Sequence, residues 1–155
     1  MHEAMEEVAW SVMPFSGLDG RLLHDIIRLR VDVFVVEQDC PYPELDGLDP
    51  DAWHVMGRKA DGSVVAYARI LPPDEDGMPH IGRVVVAPGH RGRGLGHRLM
   101  EETLEALGRL HGSRRSALAA QAHLQDFYRR SGYVSKGPEY MLDGIPHVDM
   151  VRAGM

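Results

Sequence analysis

A run of valines that leads directly into a glycine-rich turn and an amphipathic helix constrains the fold of this chain more than any other feature. Residues 81–88 read IGRVVVAP, residues 89–96 read GHRGRGLG, and residues 94–111 carry apolar side chains at helical spacing. An unbroken Val run predicts a strand that is buried on both faces. A strand followed at once by an amphipathic helix predicts an α/β arrangement around a shared sheet.

The Arg-Gly turn admits three interpretations: a flexible connection, a nucleic-acid-binding tract or a phosphate cradle. The net charge of −6 and the lack of interleaved aromatic residues disfavour nucleic acid. No Gly-Lys-Ser/Thr follows, and glycines at 92, 94 and 96 lack the dinucleotide-binding spacing. A helix that begins near Gly94 directs unpaired N–H groups and its positive dipole end outward, beside Arg91 and Arg93. The spacing therefore favours a phosphate or pyrophosphate site over a simple turn.

Hydrophobic periodicity predicts the remaining elements. A first strand covers residues 8–13, and a helix with Arg30 inside its apolar sector covers residues 19–34. A hairpin turns at Asp61-Gly62. The C-terminal part predicts a strand over residues 116–121, a short helix before Gly132 and two strands around Asp143-Gly144. The order β-α-β-β-β-α-β-α-β-β predicts a mixed α/β (α+β) fold in which one domain, residues 1–155, has a central sheet flanked by helices.

Composition narrows the setting in which the chain works. Cys40 is the only cysteine, so nothing indicates an oxidising compartment. The first ten residues are acidic, and no stretch approaches the ~20 apolar residues of a membrane span. Nine histidines occur without metal-ligand spacing. We expect a cytoplasmic protein with no bound metal, no membrane partner and no nucleic-acid partner.

The glycine turn and a later segment resemble one known family. VVVAPGHRGRGLGHRLM is similar to the acetyl-CoA-binding motif of the GNAT acetyltransferases, in which Arg91, Gly94 and Gly96 match the pattern Arg/Gln-x-x-Gly-x-Gly/Ala. AAQAHLQDFYRRSGYV resembles the family's later motif, with Gln121 and Leu124 in place of its Asn and Ala. Five segments between about residues 29 and 150 resemble the ElaA-like branch, in the same order.

This resemblance implies a GNAT fold with a mixed sheet that splays between its fourth and fifth strands, where acetyl-CoA binds in the cleft. Backbone groups of the Val run would contact the pantetheine arm, and an N–H near Val85 would stabilise the oxyanion. The glycine turn would hold the pyrophosphate. The implied donor-binding residues are Val84, Val85, Val86, Arg91, Gly92, Arg93, Gly94, Leu95, Gly96, Gln121 and Tyr128.

Two side chains are candidates for proton transfer. Tyr128 matches the family's general acid toward the coenzyme A thiolate, and a phenol with its ordinary pKa near ~10 is protonated at neutral pH. The alternative is a core tyrosine, because Tyr128 shares an apolar face with Leu124 and Phe127. Glu37 is the first candidate for the general base, since partial burial after an apolar run would raise its pKa. His54 and His147 are further candidates.

The alternative for Glu37 is an internal ion pair. A buried arginine needs a carboxylate, and three arginines lie among apolar residues: Arg30, Arg69 and Arg83. Residues 36–51 form a long acidic loop, in which Asp46, Asp49 and Asp51 could attract a cationic acceptor or simply be solvated.

The sequence thus predicts an acetyl-CoA-dependent N-acetyltransferase that acts on a primary amine by direct attack in a ternary complex. The acceptor would be a small-molecule or peptide amine, and the protein a monomer or homodimer. The alternative function is a non-catalytic coenzyme A-binding sensor or partner module that kept the fold without turnover.

Overall fold

The computed structural model describes residues 7–154, and these form a mixed sheet with helices on both faces. Most of the predicted elements are confirmed, and a short strand over residues 134–135 is an addition. In chain order the elements are β1 (Ala9–Pro14), α1 (Gly20–Arg30), β2 (Trp53–Arg58), β3 (Val64–Leu71), β4 (His80–Val86), α2 (Leu95–His111), β5 (Ser116–Gln121), α3 (Gln125–Arg129), β6 (Val134–Ser135), β7 (Tyr140–Leu142) and β8 (Ile145–Arg152).

Helix α1 begins as the sequence predicts but ends differently. Asp19 caps it by accepting a hydrogen bond from the N–H of Leu22 at 2.8 Å. The predicted end at residue 34 is wrong, because the chain continues as a wider π-helical segment over Val31–Glu37. Hydrogen bonds from Gln38 N to Val33 O and from Cys40 N to Val35 O span five residues each. This wider turn carries residues 37 and 38 toward the open side of the sheet.

The sheet consists of two antiparallel halves that touch at one end only. Its strand order is β1-β2-β3-β4-β5-β8-β6, with β7 on the other part of β8. The parallel contact between β4 and β5 is limited to the pair His80↔Ala117. Beyond this pair the two strands diverge, and the predicted splay between the fourth and fifth strands is confirmed.

Strand β4 carries a bulge at the point where the sheet opens. Its register on β3 passes from Tyr67↔Val85 to Arg69↔Gly82, so Arg83 and Val84 have no paired residue on β3. Arg83 has a φ of 54°, which is the left-handed region. The prediction that both faces of this strand are buried is wrong: Val84 and Val86 remain partly exposed because β5 has already diverged.

Apolar side chains fill both sides of the sheet. Helices α2 and α3 cover one face, where Leu99, Met100 and Leu107 are fully buried. Helix α1 covers the other face with the predicted stripe: Leu22, Ile26, Leu29 and Val33. Each helix thereby supports one wall of the splay, and the space between the walls is the cleft described next. Among the described residues, no helix combines the length and the apolar character that crossing a membrane requires.

Candidate active site

The splay forms a cleft of about 730 Å³ that runs from the start of α2 to the turn between β7 and β8. Strands β4 and β5 supply its two long walls. The π-helical end of α1, the turn before α2, helix α3 and the start of β8 supply the rest. The lining includes every predicted donor-binding residue except Arg93: Val84, Val85, Val86, Arg91, Gly92, Gly94, Leu95, Gly96, Gln121 and Tyr128.

One end of the cleft is a cradle of backbone N–H groups. Gly92 and Gly94 have φ values of 77° and 79°, and a Cβ at either position would meet no atom within 4 Å. The first intrahelical bond of α2 runs from Arg98 N to Gly94 O at 3.1 Å. The N–H groups of the three preceding residues therefore have no partner within the helix, and no side chain caps them. This end of the cleft fits an anionic group such as a pyrophosphate.

Gly96 packs closely against α3. A Cβ at this position would lie 3.0 Å from Cε1 of Phe127 and 3.2 Å from its Cζ. Phe127 also contacts the ring of His97 at a centroid distance of 4.9 Å. The glycine therefore lets the start of α2 approach α3, which closes the cleft on that side.

Arg91 lies between the cradle and the end of α1. Its Nε donates to Val86 O at 3.2 Å, and its two Nη atoms donate to both carboxylate oxygens of Glu37 at 2.9 and 2.8 Å. This pair is exposed, at 43% for Arg91 and 40% for Glu37. The Arg91 guanidinium therefore lowers the pKa of Glu37. The prediction that partial burial raises this pKa is wrong, because the side chain is exposed and already holds a cation.

Tyr128 lies in the opposite wall. It belongs to the buried core and also lines the cleft, so the two interpretations of this residue are compatible. Its ring packs edge-to-face against Phe127 at 5.0 Å and Tyr133 at 6.2 Å. Burial raises the pKa of its phenol well above the ordinary value, and its hydroxyl bonds to no residue within 7–154. A phenol in this setting stays protonated at neutral pH and can donate a proton.

The three arginines in apolar surroundings do hold carboxylates, but these come from the acidic loop. Arg30 donates to Glu44 at 2.7 Å and to Asp49 at 2.8 Å. Arg69 holds Asp46 and Asp49, and Arg83 holds Glu44 and Asp46. We call this set the arginine cluster: Arg30, Arg69, Arg83, Glu44, Asp46 and Asp49. The suggestion that Asp46 and Asp49 attract a cationic acceptor is therefore wrong, since arginines already neutralise both.

The two histidine candidates occupy different environments. His54 is buried beneath the arginine cluster, where its ring nitrogens contact Tyr67 Oη at 2.6 Å and Asp49 O at 3.0 Å. Burial lowers its pKa, and its side chain does not line the cleft. The proposal of His54 as a base is therefore wrong. His147 does line the cleft, opposite Gln121 in the register of β5 and β8.

Several cleft residues were not predicted. Gln38 accepts a hydrogen bond from Gln121 Nε2 at 3.2 Å, and the thiol of Cys40 donates to Asp143 O at 3.2 Å. These contacts connect the loop after α1 to the other half of the sheet. The only signal in the sequence was the length of the acidic loop, which does not indicate which strand it reaches. Within residues 7–154 no cluster of three metal-ligating side chains occurs.

Comparisons with known proteins agree with this geometry. Residues 32–153 match the sequence profile of the Acetyltransferase (GNAT) domain. Protein ElaA of Escherichia coli is 43% identical over 148 residues, which cover 94% of this chain and 96% of that protein. A UPF0039 protein of Schizosaccharomyces pombe is 44% identical over 137 residues, which cover 88% of this chain and 91% of that protein.

Solved structures give the same result. An acyl-CoA N-acyltransferase from Pseudomonas aeruginosa superposes with a TM-score of 0.89 at 45% identity, covering 95% of this chain and all of that one. The crystal structure of Escherichia coli ElaA superposes with a TM-score of 0.88 at 40% identity and the same coverage. GNAT proteins use acyl-CoA donors, which the cradle and the cleft fit. The chain belongs to the GNAT acetyltransferase family and, within it, to the ElaA-like branch.

Proposed function

We propose that this protein transfers an acetyl group from acetyl-CoA to a primary amine, by direct attack within a ternary complex. One observation carries the proposal. A single cleft joins the N–H cradle at the start of α2, the bulged strand β4 and the Tyr128 hydroxyl on α3. These are the groups needed to hold a pyrophosphate, polarise a thioester and protonate a thiolate.

The donor would lie along β4 with its pyrophosphate at the start of α2. Gly92, Gly94, Leu95 and Gly96 would supply backbone contacts there. Arg91 would add positive charge after exchanging Glu37 for phosphate oxygens, and the exposed Arg93 would add charge from outside the cleft. The pantetheine arm would follow Val84, Val85 and Val86, with Gln121 on the opposite wall.

We place the thioester carbonyl at the bulge on β4, because backbone groups are unpaired there. Arg83 and Val84 are unpaired on β3, and β5 has diverged from the other edge of β4, so backbone groups at this point lie outside the regular ladder. An N–H donor directed at a developing oxyanion is commonly worth ~3 kcal/mol of transition-state stabilisation. Tyr128 would then protonate the departing coenzyme A sulfur.

Direct attack is favoured by the state of the only thiol. Cys40 is buried and donates its S–H to the Asp143 carbonyl. A thiol used as a donor is a poor nucleophile, so an acetylated cysteine intermediate is disfavoured. Glu37 as the general base stays a prediction. Its ion pair with Arg91 and its lowered pKa support the alternative of a structural pair.

The acceptor would be a small-molecule or peptide amine, because the contact between Gln38 and Gln121 bridges the cleft and limits the space for an acceptor. We propose that residues 1–155 act as one catalytic domain in the cytoplasm, as a monomer or homodimer. A homodimer would be consistent with exposed apolar side chains near the C-terminal strands: Val134, Tyr140, Met141 and Leu142.

Titration calorimetry with acetyl-CoA tests the donor site. The variant Arg91→Glu should weaken binding by at least tenfold, because it places a carboxylate beside the pyrophosphate. The matched control is Arg109→Glu, which makes the same charge change at the far end of α2. Unchanged affinity in Arg91→Glu would refute the donor placement. Binding without any acetyl transfer to amines would instead favour the coenzyme A-binding sensor.

A further inference from the structure

His147 is a largely buried polar residue that lines the cleft. It lies on β8 directly opposite Gln121, at the end of β5 where the sheet is open. Only 9% of the residue is exposed, yet its side chain lines the cleft on the wall that faces β4. A histidine in this position stands beside the space between the two halves of the sheet, where donor and acceptor would meet.

The protein fixes which nitrogen of His147 carries the proton. Nδ1 lies 2.7 Å from the carbonyl oxygen of Ile145. A carbonyl only accepts hydrogen bonds, so Nδ1 must be the donor, and the neutral ring carries a lone pair on Nε2. Nε2 bonds to no residue in the described part of the chain. The Tyr140 ring stacks on the imidazole with the ring centroids 6.3 Å apart.

The other candidate bases are engaged or placed elsewhere. Glu37 lies beside Arg91, at the end of the cleft proposed for the pyrophosphate, and both ring nitrogens of His54 have partners outside the cleft. Asp143 also lines the cleft, but it lies in the exposed turn between β7 and β8. His147 thus combines a fixed tautomer, an unbonded basic atom and access to the cleft.

We propose that Nε2 of His147 is the general base that accepts the proton of the acceptor amine, directly or through one water. This inference rests on the proposed acetyl transfer. The acceptor ammonium gives one proton to Nε2, and the resulting amine forms a C–N bond to the thioester carbon. The C–S bond then breaks, and the sulfur receives a proton from Tyr128. The amide loses the second amine proton, which restores the phenol, and the imidazolium releases its proton to water.

Tyr140 on β7 stacks on His147. The other titratable side chains that line the same cleft are Glu37, Cys40, Tyr42, Arg83, His90, Arg91, His97, His123, Tyr128 and Asp143. Tyr140 is occupied, since its hydroxyl donates to Asp149. None of these groups forms a hydrogen bond with Nε2 of His147, so this nitrogen is available to a substrate.

Two substitutions separate a catalytic role from a structural one. In His147→Asn the side-chain amide can still donate to the Ile145 carbonyl, but the basic nitrogen is lost. In His147→Gln the amide reaches the position of Nε2 without basicity. With acetyl-CoA and a panel comprising lysine, spermidine, glucosamine and a tripeptide, both should lower kcat by ~10²-fold or more while the KM for acetyl-CoA stays unchanged. His24→Gln, on the exposed side of α1, is the matched control.

The pH profile and the ring itself give independent readouts. Wild-type kcat/KM should fall on the acid side as the base is protonated, and this limb should be absent in His147→Asn. Nitrogen-15 NMR of the wild-type protein should show His147 as the Nδ1–H tautomer, with its Nε2 signal shifted when acetyl-CoA binds.

The outcomes distinguish this inference from the proposed function. Wild-type turnover that survives in His147→Asn overturns the role of His147 and leaves the acetyltransferase intact. An Nε2–H tautomer overturns it even if no amine in the panel is acetylated, whereas failure of acetyl-CoA to bind overturns the proposed function.

Discussion

Replacing Asp46 by asparagine tests whether the arginine cluster stabilises the fold through its charges. Asp46 accepts hydrogen bonds from Arg69, Arg83 and the N–H of Leu48. The Arg69 guanidinium holds the pKa of this carboxyl at about 2, against an ordinary value of 3.8. The difference of about 1.8 would correspond to ~2.4 kcal/mol of folding free energy at neutral pH, because one pKa unit is worth ~1.36 kcal/mol, and solvent screening of this partly exposed carboxyl lowers the expected value to about 2 kcal/mol.

The sign of the pH dependence follows from the lowered pKa. A carboxyl with a lower pKa in the folded state stabilises the protein fully above its unfolded value of 3.8, and this contribution is lost as the pH falls through about 2. Linkage predicts that roughly half of the contribution remains at pH 3 and that it vanishes near pH 1. Asp46→Asn should therefore cost about 2 kcal/mol at pH 7 and about half as much at pH 3.

Urea unfolding followed by fluorescence at pH 7 and pH 3 measures both values. The matched control is Asp76→Asn, which changes the same residue type in the exposed turn before β4 and should alter stability by less than ~0.5 kcal/mol. A cost for Asp46→Asn that is equal at both pH values would refute the electrostatic account. A cost no larger than that of the control would do the same.

Three further predictions concern separate parts of the molecule. Tyr128→Phe should lower kcat by ~10²-fold with little change in acetyl-CoA affinity; a loss of stability with full turnover would mean that the residue serves only the core. Gly96→Ala should cost ~1 kcal/mol, because its Cβ would meet Phe127 at 3.0 Å and the His97 and Tyr128 rings packed on Phe127 oppose the shift, which offsets the helix propensity gained; Gly89→Ala, with open space around it, should be nearly neutral in the same melting experiment. Arg30→Met should cost ~3–5 kcal/mol in urea unfolding, because Glu44 and Asp49 would keep buried charges without this partner; the exposed Arg28→Met on the same helix should not.

Local periodicity was enough to predict most of the architecture. The stripe Leu22, Ile26, Leu29 and Val33 repeats at helical spacing and is buried as predicted. The hairpin at Asp61-Gly62 follows from its turn residues. The π-helical extension to Glu37 was not predictable in this way, because it depends on five-residue hydrogen bonds that leave the side-chain pattern of the preceding helix unchanged.

The candidate site was predictable where backbone conformation defines it. Gly92 and Gly94 adopt positive φ values directly before α2, and the spacing of these glycines in the sequence indicates a cradle there. Partners that depend on long-range register could not be assigned. The position of Arg30 in an apolar sector predicted a carboxylate partner. That the partners are Glu44 and Asp49 depends on how the acidic loop folds back over the sheet.

The environments of Glu37 and Val84 were predicted incorrectly for a related reason. Both judgements assumed that residues within apolar runs are buried, as in a regular sheet or helix. The divergence of β4 from β5 opens that region, so Val84 faces the cleft and Glu37 pairs with Arg91 at its exposed edge. Such an opening is a property of the tertiary structure, and a local sequence pattern does not reveal it.

The central claim is that the cleft acetylates an amine. The most direct test is to incubate the purified protein with acetyl-CoA and a panel of amines, and to follow both thiol release and the mass of each amine. Our account predicts thiol release that requires one class of amine and yields that amine 42 Da heavier, as one acetyl group replaces one hydrogen, roughly in a one-to-one ratio. Tight binding of acetyl-CoA with no acetylated amine from any class would contradict it.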